Sequence, residues 1–243
     1  MKGNQIRQRL RSGERVYGRL PAARETTEPE RMERDFTLFD HPLAFFDHRL
    51  ADQARSLKTR GVAPVVRLPV PDSRYVTLAL EAGMDGVLLS GMETAATVNA
   101  ACNAARYHPL QGRALRALNA GEPALGDETL SMLEARNADR LVLLRLETIE
   151  GQEQLGEWLR AADLDAVLID VERLSLALEH PGRPEHPEVL EALRALIACT
   201  RAAECGVGLL HAALEDRVML ELIGCGLNCL LDPAPRALDG AGA

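Results

Sequence analysis

The 243-residue chain has a formal net charge of −8 and is 47% apolar and 26% charged, which is typical of a globular protein and excludes a disordered one. An acidic surface repels nucleic-acid phosphates and anionic membranes, so we expect neither as a partner. Apolar runs stay shorter than the roughly 18 residues of a membrane span, and the chain opens on a charged helix. These features favour a cytoplasmic protein.

Cysteine usage points to the same reducing compartment. The five cysteines are odd in number, which favours free thiols over a disulfide framework. Cys225 and Cys229 have C-x3-C spacing, but a metal site would need further ligands nearby. We therefore predict that both are small apolar residues where a helix ends and a buried strand begins.

Eight short apolar runs alternate with amphipathic segments along the chain. Short, nearly continuous apolar runs are typical of strands that are buried on both faces. The predicted strands are 16–18, 36–39, 64–68, 86–89, 141–146, 166–169, 206–210 and 227–231, and the predicted helices are 4–11, 72–82, 94–107, 151–162, 187–203 and 215–223. Strands that alternate with helices through short joints predict parallel strands with helical crossovers. The expected fold is a (β/α)8 TIM barrel, formed as one domain by residues 1–243.

Two segments lack a predicted element of this kind. Residues 111–128 contain three glycines and a proline and are predicted to be a loop. Residues 233–243 are rich in Pro, Gly and Ala, and we predict a flexible tail that is too short for a full last helix.

In a barrel of this class, functional residues lie at the carboxyl ends of the strands. Applied to the predicted strands, this rule selects four polar residues. They are Asp40, Arg67, Glu147 and Asp170.

Several sequence motifs occur at or near these strand ends. The chain reads PVVRLP at 64–69, LEAGMDGVLL at 80–89, LETIEG at 146–151 and HPEV at 186–189. In this order and combination, the sequence from about residue 4 to residue 232 resembles the HpcH/HpaI aldolase family. The corresponding family patterns are P-V-V-R-x-P, L-D-A-G-A-x-G-V, I-E-T-x-E-G and H-P-E-V.

The resemblance implies a fold and a chemistry. It implies a barrel of the phosphoenolpyruvate/pyruvate-domain type, here with a shortened C-terminal helix. It also implies a lyase that makes or breaks a carbon–carbon bond beside a pyruvate-like enolate. In such an enzyme a divalent metal held by a Glu and an Asp stabilises the enolate with an Arg, and a His oriented by an acid moves the proton.

Four residues of this chain match positions that have a role in the family. Glu147 matches the first metal ligand, and Arg67 matches the Arg that stabilises the enolate or carboxylate. Glu81 stands where the acid that orients the base is expected, as a longer carboxylate than the usual Asp. Arg113 matches the Arg of a substrate-binding loop whose flanking glycines are replaced here.

Two other positions depart from the family pattern. The position of the catalytic base is occupied by Leu43, and His41, two residues earlier, is the candidate replacement. The position of the second metal ligand is occupied by Arg173, a permanent cation where a carboxylate is expected. The catalytic candidates are therefore Arg67, His41 and Glu81.

The metal site has two interpretations. In the first, Arg173 replaces the metal and pairs with Glu147, which compensates the buried carboxylate, and no cofactor is needed. In the second, Asp170 or Glu172 supplies the missing ligand from a shifted loop, and Mg²⁺ or Mn²⁺ binds as in the family.

The arginines of the site also have two interpretations. Arg67 either binds a substrate carboxylate or is the buried partner of Asp40 or Glu147. A pocket with Arg67, Arg113 and Arg173, together with Asp170, would suit a small carboxylate-bearing ligand.

Two functions stay open at this point. The first is a diverged carbon–carbon lyase that acts on a keto acid. The second is a non-catalytic relative that binds a metabolite or a partner protein, for instance an active paralogue. The resemblance also implies an oligomer, either a homo-oligomer or a hetero-oligomer with such a paralogue.

Overall fold

The computed structural model describes residues 2–20, 34–39, 48–68, 70, 72–123 and 125–231. Eight parallel strands form a closed barrel in chain order, and β8 pairs with β1. The strands are β1 Val16–Arg19, β2 Phe36–Phe39, β3 Ala63–Leu68, β4 Gly86–Leu89, β5 Leu141–Leu146, β6 Ala166–Asp170, β7 Gly206–Leu210 and β8 Cys229–Leu231. The predicted TIM barrel and all eight of its strands are confirmed.

Helices connect the strands and cover the outside of the barrel. They are α1 Lys2–Ser12, α2 His48–Thr59, α3 Ser73–Glu81, α4 Ala95–Arg106, α5 Gly112–Asn119, α6 Asp127–Arg136, α7 Ile149–Ala161, α8 Val171–Ala177, α9 Pro187–Ala202 and α10 Asp216–Gly224. Polar side chains cap several of them, since Asp72, Thr94 and Thr148 each accept a hydrogen bond from a backbone N–H of the first turn. Among the residues that the structure describes, no helix is both long and apolar enough to cross a membrane.

The prediction of a loop over residues 111–128 was wrong. Helix α5 occupies Gly112–Asn119, and α6 begins at Asp127. The glycines and the proline of this segment interrupt the chain only between Gly121 and Gly126, while the Ala, Leu and Arg residues before them are strong helix formers. Helix α2, the part of α6 after residue 128 and the seven-residue α8 were not predicted. The predicted tail 233–243 lies outside the described residues.

Alternate residues of each strand face the interior of the barrel. One buried cluster contains at least one side chain from every strand, so it fills the interior. Its strand members are Val16, Phe36, Leu38, Ala63, Val65, Leu88, Leu141, Leu143, Ala166, Leu168, Leu210 and Cys229. The intervening residues, such as Val66 and Val142, belong to the larger cluster between the strands and the helices. This alternation fixes which residues near the strand ends point inward.

Helix α1 closes the amino end of the barrel. Its buried residues Ile6 and Leu10 belong to the interior cluster, and α1 contacts β1, β5 and β7. Because the amino end is filled by these side chains, the carboxyl end is where the interior can meet a ligand.

A buried ion cluster also lies at the amino end. The Asp165 side chain is fully buried. Its Oδ1 forms ion pairs with Arg7 Nε and with Arg106 Nη2, at 2.8 Å each. The N–H of Val142 donates to Asp165 Oδ2 at 2.8 Å, and Arg106 also pairs with the half-exposed Asp163. The cluster therefore joins α1, α4, β5 and the start of β6.

The cysteines are free thiols, as predicted. Burial raises the pKa of Cys102 and of Cys229 to about 12, so neither is a thiolate near neutral pH. Cys225 is exposed while Cys229 is buried, so the C-x3-C pair does not face one environment.

Candidate functional site

The strand ends bring a set of inward-facing polar residues together at the carboxyl mouth of the barrel. Arg67 follows the interior residues Ala63 and Val65 at intervals of two, and Arg145 follows Leu141 and Leu143 in the same way. By the same rule, Asp170 on β6 and Ser90 just after β4 face inward. The mouth set is Arg67, Ser90, Arg145, Glu147, Asp170 and His211.

Arg145 is the central residue of this set. Its Nε donates to Asp170 Oδ2 at 3.0 Å, and its Nη2 donates to the same oxygen. Its Nη1 lies 3.3 Å from Glu147 Oε2. One guanidinium therefore joins the carboxylates at the ends of β5 and β6, and only 11% of the Arg145 side chain is exposed.

Glu147 is held from the opposite side by backbone. The N–H of Gly91, in the loop after β4, donates to Glu147 Oε1 at 2.7 Å. With Arg145 on Oε2, both carboxylate oxygens are engaged. The loop after β4 and the end of β5 are thus tied together.

Asp170 has a different role at each oxygen. Its Oδ1 accepts the N–H of Arg173 at 3.1 Å and caps α8, while Oδ2 accepts from Arg145. Burial raises the pKa of Asp170, but the hydrogen bonds from Arg145 and from the Arg173 N–H outweigh burial and hold that pKa below its ordinary value. Asp170 is therefore an anion at neutral pH although its side chain is 1% exposed.

His211 completes the set at the end of β7. Its Nδ1 lies 3.2 Å from Asp170 Oδ2, and 40% of its side chain is exposed. Its backbone has φ 52°, a left-handed conformation that is uncommon outside glycine. Asp170 thus orients an imidazole whose Nε2 is available for proton transfer, which is the arrangement of an acid–base pair.

Ser90 carries the one mouth hydroxyl that is left without a partner in the described part of the chain. Its side chain is 2% exposed, and its Oγ makes no hydrogen bond. The register pairs Leu88 with Leu143 and Leu89 with Leu144, so Ser90 follows beside Arg145. A buried hydroxyl without a partner is costly, and a ligand at the mouth would satisfy it.

The expected pair between Arg173 and Glu147 is not formed. The Arg173 side chain is exposed, and this residue contributes its backbone N–H to the cap of α8. The cation beside Glu147 is Arg145 instead. The physical reason is position, because Arg145 shares the inward face of β5 with Glu147, whereas Arg173 lies on an outward turn of α8.

Two other predicted residues lie away from the mouth. Glu81, predicted to orient the base, is the exposed last residue of α3, which leads into the amino end of β4. Arg113 is exposed in the first turn of α5, in the connection between α4 and β5. Arg67 lies half-buried on the inward face of β3. Asp40, His41 and Leu43 lie outside the described residues.

The mouth carboxylates do not fit the divalent metal that the family resemblance implies. Three of the four oxygens of Glu147 and Asp170 already accept a hydrogen bond from the protein, and the fourth, Glu147 Oε2, forms an ion pair with Arg145. A dication between these carboxylates would lie close to the Arg145 guanidinium, whose repulsion would offset part of the attraction from the carboxylates. Arginine cannot relieve this repulsion by losing its proton.

Ligand-type side chains also cluster in the segment between α8 and α9. Donor atoms of His180, His186 and Glu188 lie within 4.8 Å of one another. His180 Nε2 is 2.7 Å from Glu188 Oε2, and the two imidazole rings stack at 3.5 Å. His186 Nδ1 accepts the Glu188 N–H and caps α9. The three side chains therefore have a structural role, because they cap and brace the first turn of α9.

Sequence reasoning missed Arg145, His211 and Ser90. Two signals were available, since Arg145 is two residues before Glu147 and shares its strand face, and His211 directly follows an apolar strand. The strand-end rule selected Asp40, Arg67, Glu147 and Asp170, and it passed over these three residues.

Comparison with known proteins identifies the family. Residues 47–219 match the HpcH/HpaI aldolase/citrate lyase family. The chain is 28% identical to hydroxypyruvate/pyruvate aldolase from Pseudomonas aeruginosa over 213 residues, which is 86% of this chain and 79% of that protein. It is 27% identical to 2-keto-3-deoxy-L-rhamnonate aldolase from Salmonella gallinarum over 74% of this chain and 66% of that protein.

Solved structures agree with the barrel fold. A HpcH/HpaI aldolase/citrate lyase family protein from Burkholderia cenocepacia superposes with a TM-score of 0.71 at 22% identity, covering 97% of this chain and 94% of the other. The citrate synthase SbnG superposes with a TM-score of 0.71 at 20% identity, covering 96% and 91% of the two chains. The chain therefore belongs to the HpcH/HpaI aldolase/citrate lyase family.

Proposed function

We propose that this protein is a carbon–carbon lyase of the aldolase type, that its substrate is a small α-keto acid, and that its site is the carboxyl mouth of the barrel. The observation that carries the proposal is the array of Arg145, Glu147, Asp170 and His211, which is built around the buried Asp170. Buried ion pairs are often no more stabilising than apolar residues of similar volume. A charged array at the end of a barrel where ligands bind is therefore better explained by chemistry than by stability.

The names of the relatives support the substrate class. The two aldolases with the similarities described above are named for pyruvate, hydroxypyruvate and a 2-keto-3-deoxy sugar acid. Each of these compounds has a carboxylate beside a ketone. Guanidinium groups bind a carboxylate through paired hydrogen bonds, and the inward-facing Arg67 and Arg145 supply two of them.

The reaction can be written with the groups that are present. In cleavage of a 4-hydroxy-2-keto acid, the C4 hydroxyl loses a proton and its oxygen becomes the carbonyl of the released aldehyde. At the same time the C3–C4 bond breaks, and its electron pair forms an enolate with the C2 carbonyl. The enolate then takes a proton at C3 and becomes pyruvate. Arg145 and Arg67 stabilise the enolate charge, and His211, oriented by Asp170, carries the proton.

This chemistry diverges from the family pattern at two positions. The base position is Leu43, and the second metal-ligand position is the exposed Arg173. His211 and Arg145 supply a proton carrier and a cation from different strands. In this proposal, the small carboxylate-bearing ligand expected from the sequence binds beside Arg145 and His211.

Replacing His211 by alanine is expected to lower the rate of pyruvate enolisation about 100-fold, because general acid–base catalysis contributes at least this factor. The measurement is NMR detection of deuterium exchange into the pyruvate methyl group. The control is His180→Ala, which removes an imidazole from the segment between α8 and α9 and should leave the rate unchanged. An equal rate in His211→Ala and the wild type would exclude His211 as the proton carrier.

The lyase assignment has its own test. Cleavage of 4-hydroxy-2-keto acids and pyruvate exchange are measured with and without added Mn²⁺. Turnover under either condition supports the proposal. Absence of both reactions under both conditions would overturn it.

A second candidate function is a non-catalytic relative that binds a metabolite or a partner protein. The observation that favours it is that every carboxylate oxygen of Glu147 and Asp170 already contacts a donor group of the protein itself. Such a relative would bind a keto acid without exchanging its protons. It would copurify in an oligomer with an active paralogue, whereas the lyase would form an active homo-oligomer.

A further inference from the structure

We infer that the guanidinium of Arg145 is a built-in cation of this site, and that the mouth binds an α-keto-acid anion directly, without a divalent metal. The inference rests on the proposed keto-acid site. It adds that Arg145, and no metal ion, balances the negative charge of Glu147 and Asp170. It starts from the disagreement between the residues present and the metal that the family implies.

The first step is the geometry around Arg145. Two donors of its guanidinium engage Asp170, and a third nitrogen is 3.3 Å from Glu147. A guanidinium has five N–H groups, so some remain for a ligand. Arg145 thus neutralises two carboxylates and still presents donors toward the mouth.

The second step is charge. Arg67 and Arg145 carry two positive charges, and Glu147 and Asp170 carry two negative charges. The described mouth is therefore balanced before any ion enters it. A cation that bound the two carboxylates would have to displace Arg145 from its hydrogen bonds with the buried Asp170.

The third step is independent of the charges. Ser90 Oγ is buried, lacks a partner and faces inward beside Arg145. A hydroxyl in this place can donate to an anionic oxygen that Arg145 also holds. The pair of a guanidinium and a free hydroxyl suits a planar carboxylate with an adjacent oxygen, which is the head group of an α-keto acid or its enolate.

The experiment measures metal and anion binding separately in the full chain after treatment with a chelator. Mn²⁺ binding is followed by electron paramagnetic resonance, and oxalate, a planar mimic of the pyruvate enolate, is titrated by calorimetry. The proteins are the wild type, Arg145→Gln and Arg145→Gln/Glu147→Gln. Arg194→Gln is the matched control, because it removes an exposed arginine that pairs with Glu221.

The wild type and Arg194→Gln should bind oxalate without metal and show no Mn²⁺ binding that depends on Glu147. Arg145→Gln should bind oxalate about 10- to 100-fold more weakly, the range for loss of a charged hydrogen-bond partner. It should also gain one bound Mn²⁺, because Glu147 and Asp170 lose their cation, and the added Glu147→Gln change should remove this gain. Mn²⁺ binding that remains after Glu147→Gln belongs to other side chains, such as the cluster of His180, His186 and Glu188.

If Arg145→Gln does not fold, Ser90→Ala gives a second test, with oxalate binding about 2- to 10-fold weaker and unfolding unchanged. The inference is overturned if the wild type binds Mn²⁺ through Glu147, or if oxalate binds the wild type only after Mn²⁺ is added. Failure of the proposed function would give a different result. A protein that binds oxalate without metal but never turns over a keto acid contradicts only the lyase assignment.

Discussion

Replacing Arg145 by alanine is expected to lower the free energy of unfolding by about 3–5 kcal/mol, the cost of breaking a buried ion pair from one side. The reason is that Asp170, whose side chain is 1% exposed, would keep a negative charge without its main partner. Glu147 would lose its cation at the same time. Urea denaturation followed by fluorescence measures the effect, since Trp158 is the sole tryptophan of the chain and is 1% exposed in the folded state.

Arg173→Ala is the matched control for this prediction. Both arginines donate to Asp170, but Arg173 does so only through its backbone N–H, which remains in the variant, and its side chain is exposed. We expect Arg173→Ala to change the free energy of unfolding by less than about 0.5 kcal/mol. Equal losses in the two variants would mean that Arg145 does not compensate Asp170 in the way described.

Replacing Asp165 by alanine is expected to destabilise the amino end of the barrel by about 3–5 kcal/mol. Arg106 is 3% exposed and would lose a partner at 2.8 Å, and Arg7 would lose one of its two acidic partners at the same distance while keeping Asp163. The backbone N–H of Val142 would also lose its acceptor. Because Asp163 still pairs with Arg106 at 3.0 Å, the value should lie toward the lower end of the range.

The control for Asp165 is Glu221→Ala. Glu221 pairs with Arg194 at 2.6 Å, but both side chains are more than 40% exposed. An exposed pair of this kind contributes about 0–1 kcal/mol, since water screens the charges. A loss at Asp165 no larger than the loss at Glu221 would show that the amino-end cluster is not a structural anchor.

The fold could be predicted from sequence because its pattern is local. Strands such as Gly86–Leu89 are uninterrupted apolar runs, and helices such as α4 begin at a capping residue, Thr94. The segment 111–128 was misjudged because its glycines and proline were taken as breaking the whole stretch. In the structure they break only the part between α5 and α6.

The site could be predicted only in part. Glu147, Asp170 and Arg67 were found because they lie at strand ends, a position that sequence can locate. The partner of Glu147 was misassigned because it depends on which arginine faces inward, and α8 was not foreseen. The contact of His211 with Asp170 joins residues from two strands and depends on a left-handed backbone at a non-glycine residue, which no local pattern indicates.

The central claim is that this barrel mouth carries out keto-acid chemistry with an arginine as its cation. The most direct test is the rate of deuterium exchange into the pyruvate methyl group by chelator-treated wild-type protein, before and after Mn²⁺ is added. The account predicts exchange in the metal-free protein at a rate that Mn²⁺ does not increase. Exchange that is absent in the chelated protein and appears when Mn²⁺ is added would contradict it.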